Sequence, residues 1–257
     1  MTAELLVKTA VEYELHLYSK TLLTMFDIGL LLIAGFFAVI GMIVNLRLKS
    51  KFQQYSREQM SSGLSGKEVA EKMLRYYGIY DVNVISTPGF LSDHYNPANK
   101  TINLSPDVYS GRNVASAAVA AHECGHAVQH AQAYAWLKMR TGMVPIVQAS
   151  STLMNILFFA LAFVAFAMPA MGNTMLLVII TCQAVITLFS LITLPVEVNA
   201  SQRALAWLDS SHITRGQEHA DAKDALTWAA YTYFIAALGS IATLVYLIFR
   251  FTGNNRD

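Results

Sequence analysis

The sequence predicts a mainly α-helical, polytopic membrane protein with about four transmembrane helices and one small α+β region that carries a short β-strand pair. Three observations predict it. Of the 257 residues, 54% are hydrophobic and only 14% are charged, against about 25% charged in an ordinary soluble domain. The apolar residues fall in long blocks, as spans of a hydrocarbon core ~30 Å thick require. One polar stretch, residues 47–142, interrupts these blocks and contains short alternating segments that read as strands. The formal net charge of +1 and the lack of a basic run speak against a nucleic-acid partner. The expected partner is the lipid bilayer.

In chain order, residues 1–25 read as a short amphipathic helix leading into the first span. They lack the basic n-region of a secretory signal. Spans are expected at 26–46, 143–168, 174–194 and 225–249, within a single integral membrane domain covering 1–257. Arg47, Lys49, Lys51 and Arg57 follow the first span at once, so the positive-inside rule puts residues 47–142 in the cytoplasm. Within that region Ser61-Ser62-Gly63-Leu64-Ser65-Gly66 is a loop. A helix with an apolar face of Val69, Ala70, Met73 and Leu74 then runs from Gly66 to about Tyr77, and Gly78 ends it. Residues 81–86 and 101–105 alternate like strands, and the Pro-, Gly- and Asn-rich stretch between them reads as a loop. Ser105-Pro106-Asp107 starts a short helix. The Ala-rich stretch from Val114 to Ala133 reads as one long helix. Residues 195–224 are expected to hold a functional segment followed by a charged loop at 209–224.

The long helix contains His122-Glu123-Cys124-Gly125-His126, which fits H-E-x-x-H. Residues four apart share a helix face, so two imidazoles can grip one Zn²⁺ while Glu123 reaches a water. A catalytic zinc needs a third protein ligand and one open position. The metzincin extension would require His where this chain has Gln132. His130 cannot serve together with His122, since eight residues of helix separate them by ~12 Å; it reads as a residue of the helix surface or one beside the ligands. Glu197 stands at the end of the third span. Two expected spans separate it from His126, which puts both on one membrane face. A carboxylate there is costly unless partnered, and third ligand is preferred to a plain interfacial carboxylate. Glu123 is then the general base. Candidates for stabilising charge in the transition state, or for steadying the ligands, are His219, Tyr231, Tyr233, Arg203, Asn199 and Ser201; Tyr231 and Tyr233 also fit as plain bundle aromatics. Asp93 and His94 are candidates for the cleft rim, with an ordinary loop turn as the alternative. Strand 101–105 is a candidate edge for pairing with an extended peptide. Cys124 and Cys182 have neither disulfide nor zinc-finger spacing and read as small packing residues.

Three blocks carry a resemblance: Val119 to Gln129 around the motif, Ser92-Asp93-His94-Tyr95-Asn96-Pro97, and Leu194 to Ala204 around Glu197. In this order they resemble the neutral zinc metallopeptidases of bacterial membranes, the YugP-like family, over most of residues 30–250. More remotely the layout is similar to membrane proteases of the HtpX and CAAX-prenyl-protease type. Those carry a downstream Glu-x-x-Ala-Asp where this chain reads Glu197-Val198-Asn199-Ala200-Ser201, so no charged partner at Ser201 carries over. The resemblance implies a membrane zinc metallopeptidase. With the motif, it gives the expectation of a gluzincin-like endopeptidase with one catalytic Zn²⁺ held by His122, His126 and Glu197. It would act on membrane-associated or misfolded polypeptides from a multi-pass position in the bacterial inner membrane, with its active site at the cytoplasmic face. The alternative is a non-catalytic membrane scaffold whose zinc is structural, closed by a fourth ligand such as Cys124 or His94. A transporter is disfavoured because the spans hold almost no ionisable residues.

Overall fold

The fold is that of a computed structural model, which describes residues 28–89, 92–167 and 171–254. The expected N-terminal amphipathic helix lies outside the described residues. The elements in order are α1 (Ile28–Tyr55), α2 (Gly66–Tyr76), β1 (Asn83–Ser86), β2 (His94–Asn96), β3 (Thr101–Leu104), α3 (Pro106–Ser110), α4 (Val114–Ala131), α5 (Ala135–Ala167), α6 (Gly172–Ser210) and α7 (Gln217–Asn254). The chain divides into two compact units. One comprises Met1–Val39, Met143–Ser190 and Ala236–Asp257, the other Ile40–Gly142 and Leu191–Ile235.

The first unit is made of the apolar helix lengths. Among the described residues three helices, α1, α6 and α7, are long and apolar enough to cross a membrane. The chain is therefore a membrane protein whose lipid-facing residues, such as Leu31, Leu32 and Phe36, are exposed. The expected second span falls on α5, which reaches the edge of the described residues at Ala167, and it stays an expectation of the sequence. Between α6 and α7 a few polar groups find one another. Thr187 Oγ1 lies 2.8 Å from Ser240 Oγ, and Gln183 Nε2 donates to the same hydroxyl at 3.1 Å. Such bonds join helices where no water competes.

The second unit is built around α4. This helix is buried on nearly every side, which its run of alanines permits, because small side chains let neighbours approach all round. Asn113 caps its start, accepting from Ser116 N–H at 2.9 Å. Helix α2 packs on it through Val69, Ala70 and Met73, all fully buried. A capping box formed by Ser65 and Glu68 fixes the start of α2, and Gly78, at φ 70°, follows its end, a left-handed position suited to glycine.

The sheet departs from the expectation. It has three strands in the order β1-β3-β2, not two. The expected pair exists and is parallel, Asn83↔Thr101 through Ser86↔Leu104. The third strand, β2, lies in the stretch read as loop and runs antiparallel to β3, with Tyr95↔Ile102. Three residues bounded by Asp93 and Pro97 are too short to show alternation, and tertiary bonds rather than local preference make them a strand. Strand β3 is consequently the buried centre of the sheet, so the expectation that residues 101–105 offer an edge to a peptide is corrected. The edges are β1 and β2.

A second correction concerns residues 195–224. Helix α6 continues through Pro195 to Ser210, and α7 already begins at Gln217. The segment that carries Glu197 is helical, and the loop shrinks to the turn between these helices. Proline within a helix removes one backbone hydrogen bond without ending the helix when tertiary contacts hold it, and Val196, Ala200 and Ala204 are fully buried here.

Candidate metal centre

Helix α4 presents His122 and His126 on one face, and α6 presents Glu197 against them. The approach depends on Gly125: a Cβ there would sit 2.5 Å from the carbonyl oxygen of Ala200, so the two backbones touch at that point and no larger residue fits. Glu197 Oε2 lies 3.4 Å from Nε2 of His122 and 3.4 Å from Nε2 of His126. The three atoms lie within 4.8 Å of one another. Glu197 is almost fully buried, and its Oε2 has no hydrogen-bond partner. A separation of 3.4 Å is too long for a good N–H···O bond. These two separations match the ~3.3–3.4 Å edge of a tetrahedron whose centre holds ligands at about 2.0–2.1 Å, the zinc distances for imidazole and carboxylate. Two imidazole nitrogens and one orphaned carboxylate oxygen form the donor set that zinc prefers. The residues fit the ion.

Each donor is steadied from behind. Ser201 Oγ lies 3.1 Å from His122 Nδ1, so a neutral hydroxyl stands behind this ligand. His126 Nδ1 lies 3.1 Å from Gln129 Oε1. Burial lowers the pKa of His126, but the carboxylates of Glu197 and Glu123 more than offset this and hold it above the ordinary histidine value. Glu197 Oε1 faces Arg140 at 3.5 Å. The general-base candidate Glu123 is buried, and its Oε2 accepts from the Tyr95 N–H of β2 at 2.9 Å.

A model of the family described as "Putative neutral zinc metallopeptidase" matches residues 30–252. The "Putative membrane protease YugP" of Bacillus subtilis (strain 168) is 38% identical over 211 residues, 82% of this chain and 91% of that protein. No solved structure matches the chain. The chain belongs to the neutral zinc metallopeptidase family.

The other residues singled out in this family member divide into those at the cluster and those away from it. Tyr233 on α7 lies beside Glu197, in the field of Glu123 and Arg140. Tyr231 is exposed and stacks edge-on against Trp228. His219 Nδ1 meets Thr214 Oγ1 at 3.2 Å, at the start of α7. Arg203 donates to Asn199 Oδ1 at 2.7 Å and to Gln132 Oε1 at 2.6 Å, a bracing role. Asn199 itself accepts from Gln129 Nε2 at 3.0 Å. Asp93 anchors the start of β2 by accepting from Ser105 N–H at 2.7 Å; burial pushes its carboxyl up, against the pull of the Ser105 bonds. His94 is exposed, with Nδ1 2.8 Å from the Ser92 carbonyl oxygen. His130 is exposed too and meets the Tyr95 hydroxyl at 2.7 Å, outside the ligand cluster. Cys124 points the other way and donates to the Ala70 carbonyl at 3.4 Å; burial pushes its thiol well up.

Sequence reasoning missed three residues: Tyr95, whose N–H meets Glu123, Arg140 and Gln129. In the sequence Lys138 and Arg140 are both plain flanking charges ahead of the expected second span, and a buried carboxylate's need for a cation does not tell them apart. Gln129 sits three residues after His126, on the same helix face, a spacing that pointed at the site.

Proposed function

We propose that the chain is a membrane zinc endopeptidase whose metal ligands are His122, His126 and Glu197 and whose general base is Glu123. The observation that carries this is the buried, unpaired Glu197 Oε2, equidistant at 3.4 Å from two imidazole nitrogens. The chemistry that zinc would supply, were it held by these three residues, is to acidify water and polarise a carbonyl. Glu123 sits next to a ligand without being one. With Oε2 fixed by the Tyr95 N–H, its other oxygen is left to take a proton from the attacking water and deliver it to the leaving amine. The Tyr233 hydroxyl is the group best supported for steadying charge on the carbonyl oxygen. Strand β2 is the sheet edge beside Glu123, so an extended stretch of polypeptide laid along it would bring its backbone to the base. That favours membrane-associated or misfolded chains as substrates over folded ones. The run Arg47, Lys49, Lys51 and Arg57 supports a cytoplasmic site in a bacterial inner membrane.

A structural zinc would call for a fourth ligand. Cys124 turns to Ala70 and His94 to Ser92, so neither supports a closed site. The test is the full-length chain, purified in detergent, against an unfolded protein substrate. We expect Glu123→Gln to keep one zinc per chain and to lose cleavage by about 10²–10⁴-fold. Full activity in that variant would remove Glu123 from the mechanism.

A further inference from the structure

Gln129 is fully buried between α4 and α6. Its amide is used on both sides. Nε2 donates to the main-chain carbonyl of Val196 at 2.8 Å and to Asn199 Oδ1 at 3.0 Å. Both are acceptors, the second fixed as one because Arg203 Nε also donates to it at 2.7 Å. The amide orientation is thereby determined, and Oε1 must be the atom 3.1 Å from His126 Nδ1. An amide oxygen can only accept, so the proton of His126 is on Nδ1. In the neutral, metal-binding form of the ring, Nε2 is then the nitrogen that presents its lone pair on the Glu197 Oε2 side. The same side chain grips the carbonyl of Val196, the residue immediately before Glu197.

We infer that Gln129 is a positioning residue of the metal centre: one side chain sets the tautomer of His126 and fixes the turn of α6 that delivers Glu197. The inference rests on the metal-centre reading above. It links two ligands that come from distant parts of the sequence, so that neither is oriented independently of the other. Partners behind ligands are typically worth 10–100-fold in metal affinity. A glutamine that only glued two helices together would affect stability and leave the metal alone.

The experiment uses the full-length chain in detergent and reads zinc affinity by competition with a chromophoric chelator. Gln129→Met removes all three hydrogen bonds, and we expect zinc binding to weaken by about 10–100-fold. Gln129→Glu keeps an acceptor for His126 but loses the donors to Val196 and Asn199. We expect a smaller loss of affinity there, with a shifted visible absorption spectrum of Co²⁺ placed in the site as Glu197 moves. Affinities equal to wild type in a folded Gln129→Met chain would overturn the inference, even if the variant melts earlier. If Gln129→Met does not fold, an unchanged Co²⁺ spectrum in Gln129→Glu would overturn it. A wild-type chain that takes up no zinc would instead overturn the metal-centre reading beneath it.

Discussion

Helix α4 brings two donors to the centre from within a single turn, on a helix enclosed by α2, α3 and the sheet. Helix α6 brings one donor from a distant part of the sequence, on the continuation of a membrane-spanning length that carries a proline. The first is a local motif, and its spacing alone puts both imidazoles on one face. The second is a single carboxylate that the sequence marks by its place at the end of the third span, and the contact of α6 with Gly125 is what brings it against the imidazoles. Yet each helix steadies the other. Ser201 of α6 stands behind His122 of α4, and Gln129 of α4 stands behind the Glu197 turn of α6. The centre is therefore set by the seam between the helices, not by either one.

The way to break that seam with the largest effect is Gly125→Val. Its side chain would meet the Ala200 carbonyl, with its Cβ only 2.5 Å away. We expect loss of cleavage, loss of zinc, and a lower unfolding midpoint, with overpacking costing about 1–3 kcal/mol. Zinc content and thermal melting of the purified variant check this; wild-type zinc content would mean the helices do not need this contact to form the centre. A milder change sharpens the comparison from the other side. Ser201→Ala removes the hydroxyl behind His122 while sparing the seam, because alanine is smaller. We expect about a tenfold loss of zinc affinity with little change in melting. If affinity is unchanged, His122 is oriented by packing alone.

The contrast also explains what could be read in the sequence. The polar region, the helix from Gly66, the start of α3 at Pro106 and the long α4 follow from periodicity, caps and glycine positions, and the structure has them. The three apolar helices follow from length and composition. Residues whose role depends on long-range packing were not legible. Tyr95 lies in a strand of three residues, and only its bond to Glu123 marks the strand as part of the site. The expected span stops at 194, yet burial of Val196 and Ala200 carries the helix past Pro195. Arg140 gains its role only from the placement of Glu197, and Gln129, although its spacing puts it on the ligand face, gains its second role only from the turn of α6 that it holds. Arg203, a candidate for catalysis by charge, is bound up with Asn199 and Gln132.

The proposed centre has His122, His126 and Glu197 holding one zinc ion with one position open. X-ray absorption at the zinc edge of the purified full-length chain tests it most directly. The expected spectrum is that of a four-coordinate ion with two imidazoles and two oxygens, one of them from Glu197 and one from water, at about 2.0–2.1 Å. A thiolate in the coordination shell, a third imidazole, or no zinc in the purified chain would contradict it.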